Sequence, residues 1–382
     1  MCSSDLAGRE KAIASLEQAL ALDPNFSSAA RLLAGAHAQG FTVSTDSTTR
    51  LRHAQEGKRW AETARRLVPD GPCDDALAFY YSQVEPDNGR ALALAESAVK
   101  ALPNDAAVLN TLGNALRSAG RAAEAVVAYR QAIALDPLNR VFRANLLRNL
   151  TELRRAGEYT IAESDYLALG GADTSRSSVA GLRFQFSGTL PATFDGMTEA
   201  QYSVWLQRSR RDAEALTVID AALAATATGD LTRWRLWIQK CDRLRRLHRD
   251  ADLAAAAQEA KRWMETLNAQ PALDPSEQDR RLATTLARLG RADEAIAAGR
   301  RYVAALSPTN QVRERWDREI ELAQLYAYLA RPRECIELLA KLLRLPSGIT
   351  VPMLKVEPDW DHVREDAAFK ALLADPKNSA PL

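Results

Sequence analysis

Four cysteines and four histidines in 382 residues, with aromatic residues at 6%, leave this sequence short of the side chains that build metal centres, disulfide frameworks and β-rich cores. Cys2, Cys73, Cys241 and Cys335 stand far apart and form no CxxC pair. That spacing fits neither a disulfide framework nor a zinc site, so reduced core thiols are expected. His37, His53, His248 and His362 fall on different stretches, which suggests neither a metal cage nor a Cys/His nucleophile pair. The motifs GxxxxGKS/T, GxGxxG after a strand, HExxH and GxSxG are all missing. No apolar run approaches the roughly 20 residues of a membrane-spanning helix. A net charge of +1 argues against a chain built as a whole to bind nucleic acid. The reading is therefore of a non-enzyme with no cofactor, no metal, no nucleic-acid partner and no membrane span.

Alanine, leucine, arginine and glutamate dominate what is present, a mixture that favours helices over strands. The length exceeds what one core usually supports, so several domains or a repeat array is expected. Carboxylates cluster at Asp74 with Asp75, and at Glu357, Asp359, Asp361, Glu365 and Asp366. The first pair sits at a helix start, where acid favours the dipole, and the second set lies around turns; both read as structural. The run RWRLWIQKCDRLRRLHR, from Arg233 to Arg249, interleaves basic and aromatic residues. Helical spacing puts Trp234, Trp237, Ile238, Cys241 and Leu244 on one apolar stripe, leaving Arg235, Arg246 and Arg249 on a solvated face.

The stretch from Ala106 to Pro137 organises the rest. Leu112 and Gly113 lie on a first helix, Gly120 marks a turn, and Ala125, Tyr129, Ala132, Leu135 and Pro137 follow at spacings of four, three, three and two. Gly113 and Ala132 let two helices approach, Leu112 and Tyr129 fill the gap, and Pro137 stops the second helix. One such pair cannot bury its own apolar face, so it predicts neighbours. The stretch resembles a tetratricopeptide repeat, with Leu109 where the family's first large aromatic stands.

The same second-helix pattern recurs at Ala12, Leu16, Ala19, Leu22 and Pro24, at Gly57 to Pro69 and at Ala91 to Pro103, the last steps each 34 residues. It continues at Gly157, Ala162, Tyr166 and Leu169 without a closing proline, then fails. The domain reading is a first array over 1–169 starting with half a repeat, an irregular link or hinge over 170–196, a second array over 197–346, and a cap over 347–382. Within the link, Val179, Leu182 and Phe186 have the spacing of a short helix. Met1 to Leu6, MCSSDL, reads back into the codons of a common sequencing adapter, so a chain extending upstream is expected.

The resemblance implies an all-α, right-handed superhelical solenoid of helix pairs, whose first helices line a concave groove. Carried onto the central repeat, the groove positions are Ala107, Asn110, Asn114 and Arg117, with Arg148 on the next first helix. Asparagine amides can hold a peptide backbone, and arginine can take a carboxylate bidentately. The expected peptide-binding residues are thus Asn110, Asn114, Arg117 and Arg148. Asn114 matches an asparagine of the carboxylate-clamp repeats, but Asn110 replaces the clamp lysine, so that ligand does not carry over. The tail VPMLKVEPDWDHVREDAAFKALLADP, with the phrase RLRHAQEGKRWAETARRLVPD from Arg50 to Asp70, extends a resemblance over most of the chain to the arrays behind kinase, cyclase or winged-helix domains in bacterial signalling proteins. The functional expectation is a protein-interaction scaffold; the alternative is a fragment of an enzyme or transcription regulator whose active domain lies upstream. The expected compartment is the cytoplasm, or outside it if a membrane helix precedes the array.

Overall fold

Small residues set how closely the helices lie. In the computed structural model, which describes residues 3–44, 46–69, 71–170, 173–191, 199–225, 229–271, 274–307 and 310–382, alanine recurs wherever two helices cross. The described residues form 21 α-helices and two 3₁₀ turns, with no strand, so the all-α expectation holds. They divide into two compact units, one drawn from residues 1–44, 48–170 and 307–314 and the other from 45–47, 171–306 and 315–382.

The first unit begins with Ser3–Leu22 (α1), followed by Ser27–Val43 (α2) and Ser47–Leu67 (α3). Then come the pairs Asp74–Gln83 (α4) with Asn88–Ala101 (α5), Ala106–Ser118 (α6) with Ala122–Leu135 (α7), and Arg140–Glu152 (α8) with Ala156–Ala168 (α9). Ala91, Ala95 and Ala98 on α5, and Ala125, Ala128 and Ala132 on α7, are buried. The closest approach is at Gly113, where a Cβ would sit 2.5 Å from the Tyr129 ring, itself fully buried. The acidic pair at the start of α4 is structural, as its position indicates: Asp75 takes Arg31 at 2.7 Å and Asp74 takes Arg65 at 3.0 Å. Two of the histidines separated in sequence are not separate in space. His37 on α2 and His53 on α3 are buried with their Nδ1 atoms 3.0 Å apart.

The second unit opens with Asp173–Ser187 (α10), so the expected irregular link contains a full helix; residues 171, 172 and 192–196 lie outside the described residues. Val179 and Phe184 are buried on this helix, and Phe184 packs edge-on against Trp205. Four pairs follow: Glu199–Arg208 (α11) with Asp212–Ala224 (α12), Asp230–Arg246 (α13) with Asp250–Asn268 (α14), Glu277–Arg288 (α15) with Ala292–Ala304 (α16), and Val312–Tyr328 (α17) with Pro332–Leu342 (α18). The apolar stripe of α13 is buried as expected at Trp234, Ile238, Cys241 and Leu244. Its opposite side is not simply solvated: Arg246 is turned onto Asp212 at 2.8 Å, and Arg243 is buried. The end of the chain runs through Val351–Val356 (α19), a 3₁₀ turn at Pro358–Trp360, Asp361–Arg364 (α20) and Ala367–Ala374 (α21). Trp360 and Phe369 anchor this segment in the core formed by α15 to α18.

Six first helices, α6, α8, α11, α13, α15 and α17, end in one shared device. An arginine N–H reaches back five residues to a carbonyl: Arg121 to Leu116, Arg155 to Leu150, Arg211 to Leu206, Arg249 to Leu244, Arg291 to Leu286 and Arg331 to Tyr326, all at 2.8–3.1 Å. This is the Schellman closure, and it requires a left-handed residue just before the arginine. Gly120 and Gly290 supply it without strain at φ 78° and 77°. Arg154, Arg210, His248 and Ala330 adopt it at φ 52–60°. In five of the six turns the arginine also pairs with an acid three residues on: Glu124, Glu158, Glu214, Asp252 or Glu294.

Cys73, Cys241 and Cys335 are buried free thiols, as the spacing suggested; Cys2 lies outside the described residues. Burial pushes the Cys241 and Cys335 thiols up to about 12 and raises Cys73 as well.

Candidate binding site

The groove residues read from the sequence lie on α6 and α8 of the first unit. Helix α6 starts where it does because the Asp105 carboxylate accepts from the Ala107 and Val108 N–H groups, at 2.8 and 3.1 Å. From that start, Asn110, Asn114 and Arg117 fall on one side of the helix, at spacings of four and three. Gly113, between the asparagines, faces Tyr129 instead and lets α7 come close enough for the Tyr129 hydroxyl to donate to Asn114 Oδ1 at 2.9 Å.

Each of these three residues is tied to a neighbouring helix. Asn145 on α8 donates to Asn110 Oδ1 at 2.9 Å. Arg117 clasps Glu152 with Nε at 3.1 and 3.0 Å from the two oxygens and a terminal nitrogen at 2.7 Å. Arg313, in the 307–314 segment of the same unit, adds a second cation 3.3 Å from Glu152. Glu152 is 4% exposed. Burial by itself would raise its carboxyl, but Arg117 and Arg313 outweigh that and hold it below the ordinary value.

Arg148 differs from the other three. Its residue is exposed, and among the described residues it makes no hydrogen bond or ion pair. It is nevertheless hemmed in by protein: crowding first, and then the Arg117 charge, lower its pKa.

The structure therefore brings all four expected residues into one region and changes the task of one: Arg117 is committed to Glu152. Asn145, Glu152 and Arg313 were missed. A signal existed for two of them, since Asn110 with Asn145 and Arg117 with Glu152 are each 35 residues apart, one repeat plus one position. Arg313 had none.

The chemistry of the patch is one-sided. The oxygens of Asn110, Asn114 and Glu152 are occupied from within, while the amide nitrogens of Asn110 and Asn114 and the Arg148 guanidinium are not. Asn110 is itself only 8% exposed, so the donors left open are the Asn114 amide nitrogen and the Arg148 guanidinium, beside the Asn145 amide oxygen.

An array of helix hairpins closed by a repeated turn is the class that this geometry defines, and one hairpin can be named more closely. Residues 106–139, α6 and α7 with the following turn, match the family described as tetratricopeptide repeat. No curated protein matches the chain. Among solved structures it is similar to the one described as the crystal structure of APC/C hetero-tetramer Cut9-Hcn1, at 12% identity and a TM-score of 0.39. That match covers 89% of this chain and 55% of the other, so the chain spans about half the length of the structure it matches. Among the described residues no helix is long and apolar enough to cross a membrane.

Proposed function

We propose that the chain is a protein-interaction scaffold whose first unit binds an extended, acidic segment of a partner across α6 and α8. The observation that carries this is the uneven occupancy of the patch: acceptors are used up internally and donors remain. A partner backbone carbonyl suits the amide nitrogen of Asn114, with the buried Asn110 behind it, and a partner carboxylate suits Arg148 bidentately. Arg117 acts as a positioning residue, holding α6 to α8 through Glu152. Its resemblance to the arrays of signalling proteins extends the proposal: the scaffold serves as the recognition arm of a bacterial signalling or regulatory protein.

The test is fluorescence anisotropy with acidic and charge-neutral versions of one labelled peptide against the full chain. The acidic version should bind more tightly, and Arg148→Ala should remove that preference while the thermal melting curve stays in place. Acidic-peptide preference that survives Arg148→Ala sinks the assignment.

A further inference from the structure

A cavity of about 330 Å³ opens in the second unit between α13, α15, α17 and the turn after α19, a size at the small end of ligand sites. Most charges on its wall are closed on one another. Arg288 gives Nε and one terminal nitrogen to Asp242 at 3.0 and 3.1 Å, and its other nitrogen to the Thr284 carbonyl at 3.1 Å. Arg246 is held by Asp212 and Arg280 by Glu277, while Asp361 takes Arg210 and Arg364. Asp359 accepts from Gln207 and Gln324, both at 3.1 Å, and Arg243 stands near it. Arg245 donates to the Tyr328 carbonyl at 2.8 Å and lies 4.0 Å over that ring.

Glu321 is the exception. It is an exposed residue that lines the cavity from α17, and among the described residues it has no hydrogen bond and no ion pair. The cations nearest to it are already engaged: Arg280 by Glu277 and Arg318 by Asp274. Asp317, one helical turn before Glu321, adds a second acid. Burial and then the Glu321 and Glu277 charges push the Tyr302 hydroxyl up, and burial with Glu277 and Asp317 outweighs Arg280 in raising Glu321 itself. Beside this carboxylate, Tyr302, Leu322 and Leu325 offer an apolar wall.

We propose that this cavity receives the lysine or arginine side chain of a partner peptide, its charged head on Glu321 and its alkyl stem along Tyr302, Leu322 and Leu325. A long basic side chain meets both demands, since its stem is apolar and its head is a charged donor. The assignment is independent of the acidic-peptide site in the first unit.

It is tested with short capped Gly/Ser peptides carrying one central arginine, lysine, norleucine or glutamate, measured by fluorescence anisotropy against the full chain at low salt. The arginine and lysine peptides should bind about tenfold or more tightly than norleucine, and the glutamate peptide least. Glu321→Gln should erase the preference and Glu321→Lys should turn it toward the glutamate peptide, with circular dichroism confirming that both variants fold. Arg148→Ala should leave basic-peptide affinity unchanged. Equal binding of arginine and norleucine peptides, or unchanged preference in Glu321→Gln, overturns the proposal. A free alkylamine that binds as tightly as the peptides overturns its assignment to a peptide.

Discussion

The two units use the same hairpin and the same turn, yet leave opposite charges unspent. In the first, Glu152 is buried under two arginines and Arg148 is left over. In the second, Arg246, Arg280 and Arg288 are matched by Asp212, Glu277 and Asp242, Arg245 is held by a carbonyl, and Glu321 is the acid left over. The backbone device is indifferent to which charge remains. It fixes where the first helices end, while the side chains one turn earlier set what the surface offers. A repeat array can thus change its ligand preference along its length without changing its fold.

The largest test of that contrast is at Glu152. Glu152→Gln removes the buried acid that Arg117 and Arg313 share, and breaking such a buried pair should cost about 3 kcal/mol. Calorimetric melting reads this as a lower Tm, and a negligible shift would mean that the first unit is not held by this network. Next is the contact at Gly113. Gly113→Ala drives a Cβ into an immobile Tyr129 ring and should cost roughly 2 kcal/mol. In the second unit, Gly299→Ala meets only the mobile ends of Leu325 and Leu322, at 2.9 and 3.0 Å, and should be nearly neutral. Similar losses in both would erase the distinction.

Acid should act on the first unit through the histidine pair. Burial, and then the neighbouring His53, depress His37 to about 4, against 6.5 for an ordinary histidine. The unfolded chain therefore binds this proton more readily. The stabilisation is complete above pH 6.5 and is lost as the pH falls toward 4, on the order of 2 kcal/mol. Urea midpoints at pH 7.5 and 5 measure it, and His37→Gln should flatten the difference. A smaller effect, roughly tenfold, is the loss of acidic-peptide affinity in Arg148→Ala; an equal loss of basic-peptide affinity would break the charge contrast between the units. The smallest is a gain: Ala330→Gly relieves a left-handed alanine and should add about 1 kcal/mol.

The hairpins were legible because small residues, large residues and prolines repeat at fixed spacing, and each has one physical use. Helix α10 was less so, since its serines and Gly181 look like a linker, while among the residues whose burial is described Val179 and Phe184 are the buried ones. Trp360 was missed for a similar cause: a lone aromatic in a turn carries no periodicity, although it is fully buried. At the candidate site, the groove positions of the family that the chain resembles pointed to Asn110, Asn114 and Arg117, with Arg148 on the next first helix. Those positions could not tell a free arginine from an engaged one, because Glu152 is on another helix and Arg313 is far away in sequence. The turn motif, a left-handed residue followed by arginine and often an acid three further on, was written six times in the sequence. Only two of its copies begin with the glycine that would have drawn notice.

The three buried thiols turn the chain into its own reporter. A thiol-reactive dye attacks the thiolate, and at neutral pH almost none exists at Cys73, Cys241 or Cys335 while the surrounding helices stay closed. Labelling at each position then counts local openings: Cys73 watches the first unit, and Cys241 and Cys335 watch two places in the second. A peptide that settles into one groove will slow the dye at the cysteine of that unit and leave the other's rate alone. Site occupancy becomes readable without a label on either binding surface.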